Sequence, residues 1–179
     1  GNTIVGKRLI EALGPLIARR RDPAVVVNTI NERREEAVRS AAGWRFGERI
    51  DVKNGRGGIR DIEFCVQGLQ MIHAHDCPGC LEANTLSALE VLQKASLIDS
   101  SRAGRLREHY LFLRRVEHFL QLLEDRQVHD IPRGEPERRA LARRVLGTEA
   151  NGEALMKKVN AALDEVREDY QAELIDRYR

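Results

Sequence analysis

The sequence predicts an all-α fold, an antiparallel helical bundle of about six or seven helices, on three observations. Ala, Leu, Glu and Arg dominate, and only 4% of residues are aromatic, a bias toward strong helix formers. Apolar residues recur at helical spacing, and no segment shows the sustained alternation of a strand. Clusters of Gly, Pro, Asn and Asp divide the chain into segments joined by mostly short connections, which implies antiparallel neighbours. Hydrophobic residues at 42% beside 32% charged residues leave enough apolar surface for a core, so a folded chain is expected rather than a disordered one.

The first helix is predicted over residues 3–20, with Ile4, Val5, Leu9, Ile10 and Leu13 in helical rhythm. Gly14-Pro15 should break or kink it. Asp22-Pro23 reads as an N-cap followed by proline at the first helical position. The helix it opens places Val26, Val27, Ile30, Ala37, Val38 and Ala41 along one side, and Gly43 ends it. A linker with four glycines occupies residues 44–58. The clearest helix of the front half follows over residues 59–73, carrying Ile59, Ile62, Cys65, Val66, Leu69 and Ile72. Pro78-Gly79 marks a turn. Asn84 or Thr85 caps a helix bearing Leu86, Leu89, Leu92 and Ala95. Asp99, Ser100 or Ser101 caps a longer one bearing Leu106, Tyr110, Leu113, Val116, Leu120 and Leu123, which fades near Gln127. Pro132, Gly134 and Pro136 break the chain again, a short helix ends at Gly147, and a last helix runs over residues 152–179. The expected organisation is one helical domain: residues 1–22 as a helix able to pack as an extension, 23–132 as the core, and 133–179 as C-terminal helices.

Charge and cysteine content narrow the classes of function. Thirty Lys and Arg stand against 28 Asp and Glu, a formal net charge of +2. The signs are interspersed, and short runs such as Arg19-Arg20-Arg21 and Arg143-Arg144 read as solvated helix faces. Nucleic-acid binding would call for a basic stripe, so no nucleic-acid partner is expected. No segment is apolar enough to span a bilayer and no secretory signal is visible, so no membrane partner is expected. Three cysteines do not suggest a disulfide framework, and a cytoplasmic setting is expected. The chain opens on Gly1-Asn2-Thr3 without an initiator Met, which reads as a piece of a longer protein.

Two blocks stand out. The first is Asp51-Val52-Lys53-Asn54-Gly55-Arg56-Gly57-Gly58-Ile59-Arg60-Asp61-Ile62-Glu63-Phe64, continuing to Gln67. The second is Tyr110-Leu111-Phe112-Leu113-Arg114-Arg115-Val116-Glu117-His118, continuing to Gln121, Asp125-Arg126-Gln127 and Ile131-Pro132. In this order and spacing they closely resemble the helical domain of bacterial glutamine synthetase adenylyltransferases, over roughly residues 19–132, with the tail matching only loosely. A related helical domain accompanies the uridylyltransferases that modify PII-type signal proteins. The glycine loop alone would be weak support; the pair of blocks is specific.

The resemblance implies a parent enzyme of two similar halves, each a nucleotidyltransferase domain followed by a helical domain of this kind. One half attaches AMP to a tyrosine of glutamine synthetase, and the other removes it by phosphorolysis. The Leu113-Arg114-Arg115-Val116-Glu117 block looks more like the helical domain of the deadenylylating half. Implied partners are a nucleotidyltransferase domain upstream in the same chain, glutamine synthetase and a PII-type protein. Implied cofactors of the whole enzyme are Mg2+ and ATP or phosphate, with none in this chain.

Nucleotidyl transfer needs carboxylates that hold metal ions against the phosphates. The resembled enzymes carry them as Asp-x-Asp on a strand after a Gly-Gly or Gly-Ser turn, where residues two apart share a face. Asp61-Ile62-Glu63 after Gly57-Gly58 mimics that arrangement, but its spacing from the glycines is shorter and its flanks keep a helical period. On a helix, residues two apart diverge by roughly 200°. Asp61 therefore reads as a favourable charge in a first helical turn, and no catalytic residue is expected here. The polar stripes Arg60, Glu63, Gln67, Gln70 and Arg114, Glu117, Gln121 read either as solvated faces or as surfaces toward the catalytic domain or toward each other through Arg–Glu pairs. In the second reading Lys53 and Arg56, with free amides at the helix start, meet a phosphate. The plain alternative for Gly55, Gly57 and Gly58 is a tight turn at positive φ.

His73, His75, Cys77 and Cys80 lie within eight residues. They are candidate zinc ligands, with the two-residue gap of a zinc knuckle, or a reactive dithiol. The usual second half-site is absent, and a surface turn with incidental cysteines is the favoured reading. Cys65 reads as a buried small hydrophobe. The leading functional expectation is thus a non-catalytic helical domain of an adenylyltransferase of nitrogen regulation. The alternatives are a free-standing helical protein-interaction module and, last, a nucleic-acid-binding helical domain.

Overall fold

A computed structural model describes residues 3–41, 50–124 and 129–178. The expected helix end at Gly43, most of the 44–58 linker's front half, and the Asp125-Arg126-Gln127 triplet lie outside these residues, as do the side chains of Ile10, Ala41 and Leu123. Seven α-helices are present among the described residues: α1 (Thr3–Ile17), α2 (Pro23–Ala41), α3 (Ile59–His73), α4 (Thr85–Lys94), α5 (Ser100–Glu124), α6 (Glu135–Leu146) and α7 (Gly152–Tyr170). A 3₁₀ turn (Pro78–Cys80) precedes α4, and α7 continues into a π-helical turn (Gln171–Asp176). The fold is all-α: the extended pairing among the described residues is one isolated bridge, Asp51 to Asp130.

Local chemistry sets the helix ends as the sequence implies. Asp22 Oδ1 accepts from Ala24 N–H at 2.9 Å, Asn84 Oδ1 from Leu86 and Ser87 N–H, Asp99 Oδ1 from Arg102 N–H and Asn151 Oδ1 from Ala154 N–H. Each satisfies amides that a helix start leaves without partners. Gly147 stops α6 at φ +114°. The expected break at Gly14-Pro15 does not occur. α1 runs through Pro15 and ends two residues later, although proline has no N–H for the carbonyl four residues back.

α3, α5 and α7 pack against one another at the centre, with α2 and α4 beside α3 and α6 between α5 and α7. Ile59, Ile62 and Leu69 of α3, Leu106, Leu113 and Leu120 of α5, and Leu155, Val159 and Val166 of α7 join one core. Each such side chain contributes about 1.5–3 kcal/mol of burial. Cys65 is fully buried in it, and burial pushes its thiol pKa up. α1 differs: Ile4, Val5, Leu9, Leu13, Leu16 and Ile17 stay exposed. Among the described residues no helix is long and apolar enough to cross a membrane.

Candidate functional site

The first motif block forms a loop folded back on itself. Its entry pairs with the segment after α5: Val52 N–H donates to His129 O at 2.9 Å, and Ile131 N–H to Ile50 O at 2.9 Å. Asp51 Oδ1 accepts from the Lys53 and Asn54 amides, an Asx turn that fixes the bend. Gly57 then adopts φ +80°, and a Cβ there would stand 1.9 Å from Leu163 O of α7. Only glycine fits this contact. Gly55 and Gly58 do not share the expected positive φ; they are small because an added Cβ would meet loop carbonyls, of Asp51 and Lys53 respectively.

The same folding removes the expected anion site at the start of α3. Gly58 N–H donates to Gly55 O, Ile59 N–H to Val52 O, Arg60 N–H to Lys53 O and Asp61 N–H to Gly58 O, all at 2.9–3.0 Å. The four amides that a helix start usually leaves free are taken by the loop's own carbonyls, so no free amides remain there for a phosphate.

Asp61 does more than favour a helix dipole. It is buried, accepts from Arg34 Nε and Nη2 at 2.7 Å each, and accepts from Gly57 N–H at 2.6 Å. Arg34, on α2, also lies 4.4 Å from the centre of the Tyr170 ring. Burial works against the Arg34 charge, but the hydrogen bond and attraction of Asp61 outweigh it, and the guanidinium pKa is raised. The bidentate pair thus ties α2, the glycine loop and α3 together over α7. Burial likewise pushes the Tyr170 phenol up, against the opposing effect of Arg34.

The other motif charges sort into inward and outward sets. Glu117 of α5 is buried and accepts from Arg114 Nη1 at 2.6 Å. Lys53 Nζ and His129 Nδ1 approach its Oε1 at 3.1 and 3.3 Å, off the hydrogen-bond direction, and the Lys53 approach is an ion pair. Glu63 accepts from Tyr110 O–H at 3.3 Å, so the two motif blocks meet across α3 and α5. Arg56 pairs with Glu35 of α2 at 2.7 Å. Arg60, Gln67 and Arg114 are exposed. Arg60 stacks over Phe64 at 6.0 Å and borders a groove with Arg33, Glu36, Ala37, Ser40 and Asn54. Gln70, expected on the same polar stripe, is instead buried, and its Nε2 donates to Cys80 O and Glu82 O.

Among the described residues of the two blocks, Asp61 and Glu63 do not converge on one position. Asp61 is held by Arg34 and Gly57, and Glu63 turns to Tyr110. Asp169 and Glu173, buried near the end of α7, are engaged by Arg102, Arg105 and Arg177. Among the described residues no group of three His, Cys, Asp or Glu side chains is arranged to hold a metal ion. This donor set does not fit the Mg2+ of a nucleotidyl transfer. In the turn, His73 Nε2 lies 2.7 Å from Tyr178 Oη, His75 is exposed, and Cys80 is buried.

Sequence reasoning missed Arg34, Glu35, Asp51 and Tyr170. One signal was present: Arg34 falls in line with Val27 and Ile30 on the apolar side of α2, where a charge needs a buried partner.

Fold and site together define an all-helical domain in which several charges of the two blocks are engaged by partners within the bundle. A family model described as GlnD PII-uridylyltransferase matches residues 28–173, and the chain belongs to that family. The match runs past Pro132 into the tail. Over 142 residues, 79% of the chain, it is 37% identical to a bifunctional glutamine synthetase adenylyltransferase/adenylyl-removing enzyme of Xanthomonas campestris pv. campestris (strain B100). It is 36% identical over the same length to that of Hahella chejuensis, and 35% identical over 143 residues to that of Rhizobium meliloti. The chain spans 15% of the length of the first of these relatives and 14% of the other two.

Proposed function

We propose that this chain is a non-catalytic helical domain serving a nucleotidyltransferase domain of the same polypeptide, in the deadenylylating half of an enzyme that reversibly transfers AMP to glutamine synthetase. The observation that carries the non-catalytic reading is the divergence of Asp61 and Glu63 toward different internal partners. The carboxylate pair of a nucleotidyl-transfer centre would have to share a metal. The Leu113-Arg114-Arg115-Val116-Glu117 block supports the deadenylylating half. On this reading Mg2+, ATP and phosphate are held by the neighbouring domain, a PII-type protein acts on the whole enzyme, and the setting is cytoplasmic. Arg56, Arg60 and Gln67 face the catalytic domain, while Lys53, Glu63, Arg114 and Glu117 hold the surface that presents them.

The test is turnover by the purified chain. With Mg2+, ATP and glutamine synthetase, and separately with Mg2+, phosphate and adenylylated glutamine synthetase, the chain should transfer and release no AMP. Metal-dependent turnover abolished by Asp61→Asn would overturn the reading. The assignment to one half is tested in the full-length enzyme: Arg60→Ala with Gln67→Ala should lower phosphorolysis and spare adenylylation, and the reverse pattern would contradict it.

A further inference from the structure

The turn between α3 and α4 carries Cys77-Pro78-Gly79-Cys80; Cys80 joins the core and Cys77 packs against it, but core packing does not call for two thiols at this spacing. Cys77 precedes the 3₁₀ turn, and Cys80 N–H donates to Cys77 O at 3.0 Å. A turn closed this way brings its end Cα atoms within about 7 Å, and a disulfide spans about 4.4–6.8 Å between Cα atoms. The Cys80 thiol donates to Gln70 O at 3.7 Å. Cys77 is half-buried and Cys80 fully buried, so one sulfur can be reached from solvent and the other sits behind it.

The surroundings favour thiol chemistry over metal binding. His73 is engaged by Tyr178 and His75 is exposed, leaving two sulfurs where a structural zinc needs four ligands. The backbone of the turn is anchored independently of the sulfurs, because Gln70 Nε2 holds Cys80 O at 2.6 Å and Glu82 O at 2.8 Å. The sulfurs can therefore change state while the turn stays in place.

We infer that Cys77 and Cys80 form a redox-active dithiol that closes reversibly to an intramolecular disulfide by exchange with a small disulfide of the glutathione class. The Cys77 thiolate attacks one sulfur of the small disulfide and expels a thiolate, giving a mixed disulfide on Cys77. The Cys80 thiol then gives up its proton, and its sulfur attacks Cys77 Sγ, expelling the second small thiolate. Two protein thiols are oxidised by two electrons, and one small disulfide is reduced to two thiols. The order of attack follows access. Burial and the adjacent Cys77 push the Cys80 thiol up to about 11, which keeps it protonated and leaves the first attack to Cys77; the second attack depends on the mixed disulfide being held beside it.

The experiment equilibrates the folded chain in buffers of oxidised and reduced glutathione, quenches with acid, alkylates, and reads intact mass and peptide maps. The expected result is a Cys77–Cys80 link that dithiothreitol removes, with Cys65 alkylated only after unfolding. Cys80→Ser should accumulate a glutathione adduct on Cys77, and Cys77→Ser should give neither link nor adduct while its circular dichroism stays helical. A stable glutathione adduct on the unsubstituted chain without the internal link would overturn the inference. So would a link that includes Cys65, or thiols that stay reduced in a buffer that oxidises a two-residue-spaced dithiol peptide.

Discussion

Helices α1 and α3 are both 15 residues long and both carry apolar residues in helical rhythm, yet they meet opposite fates. In α3, Ile59, Ile62 and Leu69 are fully buried, and Asp61 is buried with them. In α1, Leu9 is 58% and Leu16 65% exposed. The rhythm declares a helix and one apolar side; it does not declare what covers that side. α3 finds α2, α4, α5 and α7 around it, and it enters the bundle with a loop that satisfies its first amides and a cation that neutralises its one buried acid. The family match begins at residue 28, beyond α1.

The largest expected effect lies at the acid. Asp61→Asn leaves Arg34 buried without its carboxylate, and removing one partner of a buried pair costs about 3–5 kcal/mol. Urea unfolding followed by circular dichroism measures it, and a loss near that of a surface pair would show that α2 does not depend on this brace. Next come the apolar residues. Leu69→Ala in α3 should cost about 2–5 kcal/mol, whereas Leu9→Ala in α1 should stay within about 0.5 kcal/mol. Equal losses would erase the contrast between the two helices. Gly57→Ala should cost more than about 1 kcal/mol, because φ is +80° and the methyl would overlap Leu163 O; thermal unfolding reads it.

A smaller effect depends on pH. Burial and then Arg177 hold the His73 pKa below its ordinary value of 6.5, with Asp76 opposing. With Nε2 unprotonated, the imidazole accepts from Tyr178 O–H and ties α3 to the chain's end. The unfolded chain binds this proton more readily than the native one. The contribution is therefore complete above 6.5 and lost as pH falls through the lowered native value. The stability advantage of the unsubstituted chain over His73→Gln should shrink between about pH 7.5 and about pH 5.5. A constant gap would place the tie elsewhere.

Much of this architecture is legible in the sequence because its signals are local. Asp22, Asn84 and Asp99 sit next to the helices they cap, and Gly-Gly and Pro-Gly bracket α3. The candidate site was legible by type but not by direction. Gln70 and Glu117 fall on polar stripes yet point inward, because the carbonyls of Cys80 and Glu82 and the cations of Arg114 and Lys53 wait there. The Arg34–Asp61 pair joins residues 27 apart, a separation that no helical period encodes. The exposure of α1 is equally silent, since it depends on what surrounds the helix rather than on the helix itself.

The central claim is that the inward motif charges build the domain and the outward ones serve a catalytic neighbour. The direct measurement replaces the outward pair Arg56 and Arg60 with Ala, in the chain alone and in the full-length enzyme. Arg56 makes a surface ion pair with Glu35, and Arg60 stacks on Phe64, so the chain's stability should change by less than about 1 kcal/mol. Phosphorolysis of adenylylated glutamine synthetase per folded molecule should fall. A chain strongly destabilised by the double substitution, with full-length activity per folded molecule intact, would show these residues to be structural and contradict the account.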